Sequence, residues 1–178
     1  MAYFVYVSVS AEDRIEVFEM DPGTGRLDRR DAVAVPGRPA PLAVDPEHKH
    51  LYVGRRTACE LSSYDIDQAS GGLVLSGSAS LESDPCFLAT DRMGRFLFSA
   101  YYGADNVAIH ALSARGAVGG PPHLWLNTFP GAHATQTDRT NRFAFVPHIA
   151  GSVGPNAILQ FTFDETTGAL TPNSPATL

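Results

Sequence analysis

Short apolar runs recur along the chain at a nearly constant spacing. Three of them occupy residues 51–53, 96–98 and 143–145. With the first residue of each run as a marker, the spacing is 45 residues from Leu51 to Phe96 and 47 residues from Phe96 to Phe143. Each run follows another apolar segment and a turn, in the same register within the unit. A fixed spacing of this size predicts a repeat architecture.

Two further strands follow in the repeating unit. Residues 13–18, 61–64, 106–109 and 156–161 each read as a short third strand. Turns at residues 21–25 and 164–168 place a glycine where a hairpin needs positive φ, and Leu27 or Leu170 then opens a fourth strand. No stretch has the 3.6-residue periodicity of a substantial helix, so parallel βαβ units are not expected.

The predicted fold class is all-β, a β-propeller of about four consecutive four-stranded antiparallel blades. A repeat of this length with four strands suits a blade, which buries both faces of a small sheet against its neighbours. The units are approximately 1–37, 38–82, 83–130 and 131–178. A β-sandwich is the competing all-β fold, but it does not explain the constant spacing.

The first unit has only three strands before Gly37 and lacks the innermost one. Propellers close with four to eight blades, and a C-terminal segment ordinarily supplies a missing first strand. We therefore expect the chain to be a fragment of a larger ring, or half of an assembly that a second chain completes.

Composition narrows the classes of partner. Thirteen Lys and Arg against nineteen Asp and Glu give a formal charge of -6, so neither nucleic acid nor an acidic membrane is expected to bind. Cys59 and Cys86 do not form a disulfide framework or a zinc motif. With no signal peptide or apolar span visible, the expected location is the cytoplasm.

Candidate chemistry lies in two sets of loops. The loop entering the innermost strand of a blade and the loop between its second and third strands open at the same end of the channel. Their polar side chains are expected to converge there. The candidate residues are Arg38, Arg55, Tyr101, His133 and His148.

His133 is the candidate catalytic residue, because its counterparts in the other units are Pro41 and Cys86. The blade itself therefore does not require an imidazole at this position. A histidine that titrates near neutral pH can take a proton from water and return it to a leaving oxygen, as ester or lactone hydrolysis requires. The alternative, a histidine that only hydrogen-bonds at the start of a strand, stays open.

The other four candidates are assigned to substrate binding. Arg38 and Arg55 offer forked donors for a phosphate or an oxyanion. Tyr101 is expected to close the core of its blade and to direct its hydroxyl towards the channel, and His148 is expected to have a structural role beside ligand contact. No metal site or cofactor motif is present, and neither a serine-hydrolase elbow nor a P-loop occurs.

Several segments together resemble the lactonase family of seven-bladed β-propellers. They are Leu-Ala-Val-Asp-Pro at 42–46, Leu-Tyr-Val-Gly at 51–54, Gly-Ala-His at 131–133, Asn-Arg-Phe-Ala-Phe-Val-Pro-His at 141–148 and Gly-Pro-Asn-Ala-Ile at 154–158. The family includes bacterial 6-phosphogluconolactonases and fungal carboxymuconate cycloisomerases. The stretch from 141 to 158 is the most specific part.

The resemblance implies a ring of seven blades and hydrolysis of a sugar phosphate lactone without a metal. His133 falls on the histidine that the family places at its active site, where it would activate water. The chain alone is expected to show little turnover, because the family's later blades bring further charged groups to the channel. A non-catalytic binding module and a cycloisomerase acting on a muconate-type diacid are the alternative functions.

Overall fold

A computed structural model describes residues 2–149 and 154–178. In this part of the chain, fifteen β-strands form four antiparallel sheets, and the one regular helical element is a 3-10 turn at Ser10–Glu12. No helix among the described residues is both long and apolar enough to cross a membrane. The all-β prediction is therefore confirmed.

The sheets follow one another along the chain. The first contains three strands, β1 (Tyr3–Val9), β2 (Arg14–Met20) and β3 (Leu27–Ala34). The second contains β4 (Pro39–Val44), β5 (His50–Arg55), β6 (Glu60–Ile66) and β7 (Leu73–Ser80). The third contains β8 (Phe87–Thr90), β9 (Phe96–Tyr101), β10 (Asn106–Ala111) and β11 (Leu124–Asn127). The fourth contains β12 (Gln136–Thr137), β13 (Phe143–Pro147), β14 (Ile158–Phe163) and β15 (Leu170–Thr177).

Each strand pairs only with its neighbours in sequence, so every sheet is a simple meander. Tight turns make this possible. Gly25, between β2 and β3, has φ of 73°, and Gly168, between β14 and β15, has φ of 74°. Both are in the left-handed region that glycine enters without steric cost, as the turn sequences predict.

Adjacent sheets pack face to face through three apolar cores. The first core joins sheets one and two around Ile15, Leu51 and Val53. In the second, Tyr52 of the same strand meets Leu97 of the third sheet. The third and largest core lies between sheets three and four. Since alternate residues of β5 enter different cores, a middle sheet is buried on both faces, as a propeller blade requires.

A buried or half-buried aspartate closes the first turn of each four-stranded sheet. One carboxylate oxygen of Asp45 accepts hydrogen bonds from the backbone amides of Lys49 (2.6 Å) and His50 (2.7 Å). Asp91 and Asp138 accept the same pair of bonds in the third and fourth sheets. The repeated aspartate therefore fixes the position at which the second strand begins.

The strand pairing corrects the marker register by one residue. Val44 pairs with Leu51, and Thr90 pairs with Leu97. In each pair, the first residue directly precedes the capping aspartate and the second lies just after the turn that this aspartate closes. The equivalent residues are therefore Leu51, Leu97 and Ala144, and the spacing is 46 and then 47 residues. Matching Leu51 to Phe96 was wrong because similar apolar runs were aligned, although their side chains face opposite sides of the sheets.

Candidate functional site

Six loops lie at one end of the sheets, which we call the site end. They precede the innermost strands (residues 35–38, 81–86 and 128–135) or join the second and third strands (56–59, 102–105 and the loop beginning at 148). Backbone bonds tie loops of the two kinds together. For example, the amide of Arg56 donates to the carbonyl of Arg38 (3.2 Å), and that of Ile149 donates to Gly131 (3.0 Å).

His133 has an anchored backbone and an exposed side chain. Its amide donates to the carbonyl of Pro147 at 3.1 Å. The imidazole is exposed and meets the ring of Tyr102 edge to face, with centroids 5.9 Å apart and planes at 83°. The side chain is therefore available to a ligand at the site end, with one aromatic neighbour to limit its orientation.

The loop after β9 braces the strand entrance that carries His133. A carboxylate oxygen of Asp105 accepts from the amide of Gly131 at 3.3 Å. The carbonyl of Asp105 accepts from the amide of Thr128 at 2.8 Å. Together with the ring of Tyr102, these contacts hold the segment before His133 against the third sheet.

His148 lies on the opposite side of the same strand entrance, paired with Ala132 through an isolated bridge. The residue is 4 % exposed, and its ring packs against that of Phe129 with centroids 5.6 Å apart. Neither ring nitrogen has a hydrogen-bond partner among the described residues. Burial lowers the pKa of His148, so the imidazole is held in its neutral form.

Three of the predicted binding residues occupy one equivalent position. Arg55, Tyr101 and His148 each stand four residues after the aligned markers Leu51, Leu97 and Ala144. All three side chains turn into the protein. The next residue in each sheet is Arg56, Tyr102 or Ile149, and these are exposed.

Arg55 is engaged within its own sheet. Its guanidinium forms an ion pair with Glu60, directly opposite it in the β5–β6 hairpin, and donates to the carbonyl of Pro36 at 3.0 Å. Its Nε atom is buried and has no hydrogen-bond partner in the part of the chain that the structure describes. Only four residues separate Arg55 from Glu60 in the sequence, and this short spacing could have indicated the cross-strand pair.

Tyr101 is fully buried, and its hydroxyl accepts a hydrogen bond from Ser99 at 3.0 Å. Its ring packs on Trp125 at 4.9 Å. Burial raises the pKa of Tyr101 to about 12. The structure thus brings Tyr102, and not Tyr101, next to His133.

Arg38 is exposed at the site end, where a cavity of about 500 Å³ opens beside it. The same cavity is lined by Arg56, which the sequence interpretation passed over in favour of Arg55. The structure therefore forms two groups: His133 and His148 of the fourth sheet with Tyr102 of the third, and Arg38 with Arg56 at the second. No cluster of three or more potential metal ligands occurs among residues 2–149 and 154–178.

The family model "Lactonase, 7-bladed beta-propeller" matches residues 3–178, nearly the whole chain. The chain belongs to this lactonase family. The resemblance noted from residues 42–158 is thereby confirmed, and so is the propeller fold.

Two relatives show how much of a lactonase the chain spans. It is 39% identical over 147 residues to a 6-phosphogluconolactonase of Pectobacterium carotovorum, which covers 83% of this chain and 43% of the relative. It is 37% identical over the same length to a 6-phosphogluconolactonase of Yersinia pestis, with the same coverage. The chain therefore spans less than half the length of these lactonase relatives.

Solved structures show the same fold at low sequence identity. The periplasmic gluconolactonase PpgL of Pseudomonas aeruginosa superposes with a TM-score of 0.83 and 19% identity, covering all of this chain and 55% of that one. A Lactobacillus plantarum protein superposes with a TM-score of 0.79 and 15% identity, over 96% of this chain and 54% of its own. These lactonase-fold matches concern architecture alone.

Proposed function

We propose that this chain is the N-terminal part of an enzyme that hydrolyses a sugar phosphate lactone, with 6-phosphogluconolactone as the first candidate. The observation that carries the proposal is the 39% identity over 147 residues to a protein named 6-phosphogluconolactonase. The exposed, backbone-anchored imidazole of His133 supports it, because a water-activating base must reach the substrate.

In the proposed reaction, His133 accepts a proton from a water molecule as that water attacks the lactone carbonyl carbon. The tetrahedral intermediate collapses when the bond between the carbonyl carbon and the ring oxygen breaks. The imidazolium then returns its proton to that oxygen, which becomes a hydroxyl group, and the product is the open-chain acid. This step needs no cofactor and no metal.

The surroundings of His133 favour a role in proton transfer. The ring of Tyr102 restricts the imidazole on one side. The nearby His148 is kept neutral by burial, so it adds no positive charge that would oppose protonation of His133. The ring nitrogens of His148 are themselves buried, so its proposed role here is to support the strand entrance that carries His133 rather than to contact substrate directly.

The test is hydrolysis of 6-phosphogluconolactone by the complete gene product, with the spontaneous rate subtracted. We expect His133→Ala to lower kcat by about 10²- to 10⁴-fold, the usual contribution of general acid–base catalysis. His123→Ala is the matched control, since His123 is also exposed but precedes β11 at the opposite end. Thermal unfolding of both variants verifies that they fold.

An unchanged rate for His133→Ala would exclude this residue as the base. If the complete protein hydrolyses no lactone but binds another ligand at the site end, the binding-module alternative is correct. Conversion of an unphosphorylated muconate-type diacid, without hydrolysis of the phosphorylated lactone, would instead support the cycloisomerase alternative.

We also propose that further blades complete the ring, either in the same polypeptide or from a second chain. The length of the relatives supports this, because the chain spans 43% of them. Mass measurement of the native gene product distinguishes the two routes. The chain alone is expected to turn over little substrate, and the cytoplasmic location stays a prediction that fractionation of cells can check.

A further inference from the structure

The site-end cavity beside Arg38 lies between the entrances of the second and third sheets. It has a volume of about 500 Å³. Its wall is made by the loops before β4 and β8 and the β5–β6 loop, with one residue from the first sheet. The polar residues that line it include Ser10, Arg38, Arg56, Glu82, Ser83 and Asp84.

Arg56 is oriented in this cavity by Asp84. Its Nε and Nη2 atoms both donate to Asp84 Oδ2, at 3.1 and 2.5 Å. Its Nη1 atom has no partner among the described residues. The guanidinium is thus fixed in one direction while part of its donor edge stays available, which is the arrangement expected of a pre-organised anion contact.

Arg38 is presented by an unusual backbone. Its φ is 58°, in the left-handed region, directly after Gly37 at 103°. A carboxylate oxygen of Asp13 holds both positions by accepting from the amides of Gly37 (3.2 Å) and Arg38 (2.7 Å). The arginine side chain itself forms no hydrogen bond within the part of the chain that the structure describes. A long cationic residue in a left-handed backbone conformation, which glycine adopts with less strain, is typical of a functional position.

The cavity combines cations with carboxylates. Arg38 and Arg56 face Asp84, which is paired, and Glu82, which is exposed and has no ion pair among the described residues. A bare anion would gain little from so balanced a set of charges. A polyhydroxylated anion fits better, because guanidinium groups donate to a phosphate while a carboxylate accepts from hydroxyl groups.

The cavity also lies within reach of His133. Asp84 is two residues before Cys86, a span of at most about 7 Å for extended chain. The thiol of Cys86 approaches the carbonyl of His133 at 3.8 Å. The cavity and the backbone of His133 are therefore separated by only a short stretch of the site end.

We infer that Arg38 and Arg56 form the phosphate subsite of the sugar phosphate lactone, with Glu82 accepting from its hydroxyl groups. This inference rests on the proposed function and names the residues that would select a phosphorylated substrate. It assigns the phosphate contact to Arg56 in place of Arg55, whose guanidinium is already engaged by Glu60 and Pro36.

Titration of the complete gene product with 6-phosphogluconate and with gluconate tests the subsite without turnover. We expect the phosphorylated acid to bind at least about ten-fold more tightly, and Arg38→Gly or Arg56→Gln to remove most of that preference. Arg38→Gly is chosen because glycine keeps the left-handed backbone without strain. Arg139→Gln is the control, since Arg139 is exposed in the turn before β13 at the opposite end and loses the same charge.

Asp84→Asn provides a second test of the preference for the phosphorylated acid. It should weaken the preference because Arg56 loses its anchor, although the net positive charge of the cavity increases; a purely electrostatic role would strengthen binding instead. A preference that is absent in the unaltered protein, or that survives both arginine substitutions, overturns the subsite.

The same variants separate this inference from the proposed function. Lactone hydrolysis that depends on His133 but shows no phosphate preference would refute the subsite alone. A phosphate preference that depends on Arg38 and Arg56, without any hydrolysis, would support the subsite and refute the enzyme.

Discussion

The two ends of the sheets follow different rules. At the end opposite the site, the turn before each second strand carries the same device, an aspartate that accepts from the amides four and five residues later. At the site end, equivalent positions differ in chemistry: Arg56, Tyr102 and Ile149 follow the second strands of three successive sheets. Repetition therefore marks what holds the blade together, and variation marks the end at which we propose that a ligand binds.

The contrast extends to hydrogen bonding. Asp91 has no exposed surface, and its carboxylate accepts from the amides of Arg95 and Phe96 and from the side chain of Asn141 in the next sheet. His148 at the site end is almost as buried, yet its ring nitrogens have no partner among the described residues. The carboxylate of Asp91 is therefore satisfied within the protein, whereas the ring of His148 is not satisfied by the described residues.

The largest effect on stability is expected for Asp91→Ala. The substitution leaves buried amides and the Asn141 amide group without an acceptor, which should lower the free energy of unfolding by about 3 kcal/mol or more. Denaturant unfolding of the complete protein measures it. Asp84→Ala is the matched variant at the site end, where loss of the exposed pair with Arg56 should cost about 1 kcal/mol or less. Equal costs at the two ends would remove the contrast.

The fold was accessible from sequence because the repeat is encoded locally, in apolar runs and turn residues such as Gly168 and the aspartates. The candidate site was harder to predict, because strand alternation determines, residue by residue, which side chains point into the protein and which point outward. Arg55 and Arg56 are adjacent in sequence and of the same residue type, as are Tyr101 and Tyr102. Only the strand pairing shows which member of each pair is turned inward. His133 was singled out because its chemistry departs from that of its counterparts, which are Cys86 and, in the corrected register, Ala40.

Acid should weaken the protein through a core histidine. Burial lowers the pKa of His110 to about 4, and its ring lies 3.3 Å from the Ser99 hydroxyl. An unfolded histidine titrates near 6.5, so as the pH falls below that value the unfolded state takes up the proton first. We expect a loss of about 3 kcal/mol between pH 7 and pH 4 from this group, since one pKa unit corresponds to about 1.4 kcal/mol.

Urea unfolding at several pH values tests the role of His110. In His110→Phe, which has no proton to gain, the decline in stability between pH 6.5 and 4.5 should be clearly shallower. A slope that His110→Phe does not change would assign the acid sensitivity to other groups.

A smaller effect is expected for the aromatic contact at the site end. Tyr102→Ala removes the ring beside His133 and should lower kcat/KM for the lactone by about ten-fold, because the imidazole is less well oriented. Tyr102→Phe keeps the ring and should retain most of the activity. Since Tyr102 is 41 % exposed, stability should change little. An equal loss in the Phe variant would mean that the hydroxyl, and not the ring, is used.

The smallest effect concerns two turn glycines with the same conformation. Gly25→Ala should cost about 1 kcal/mol in this chain, the strain of a left-handed alanine. Apart from its two chain neighbours, no described residue has an atom within 4 Å of the added carbon. Gly168→Ala should cost more, since its added carbon would lie 2.6 Å from the Phe96 ring of the preceding sheet. Unfolding of this chain and of the complete protein provides both values.

If a further blade packs against the first sheet in the closed ring as β9 packs against Gly168, then Gly25→Ala becomes as costly as Gly168→Ala in the complete protein only. An unchanged cost would mean that the turn at Gly25 stays uncovered.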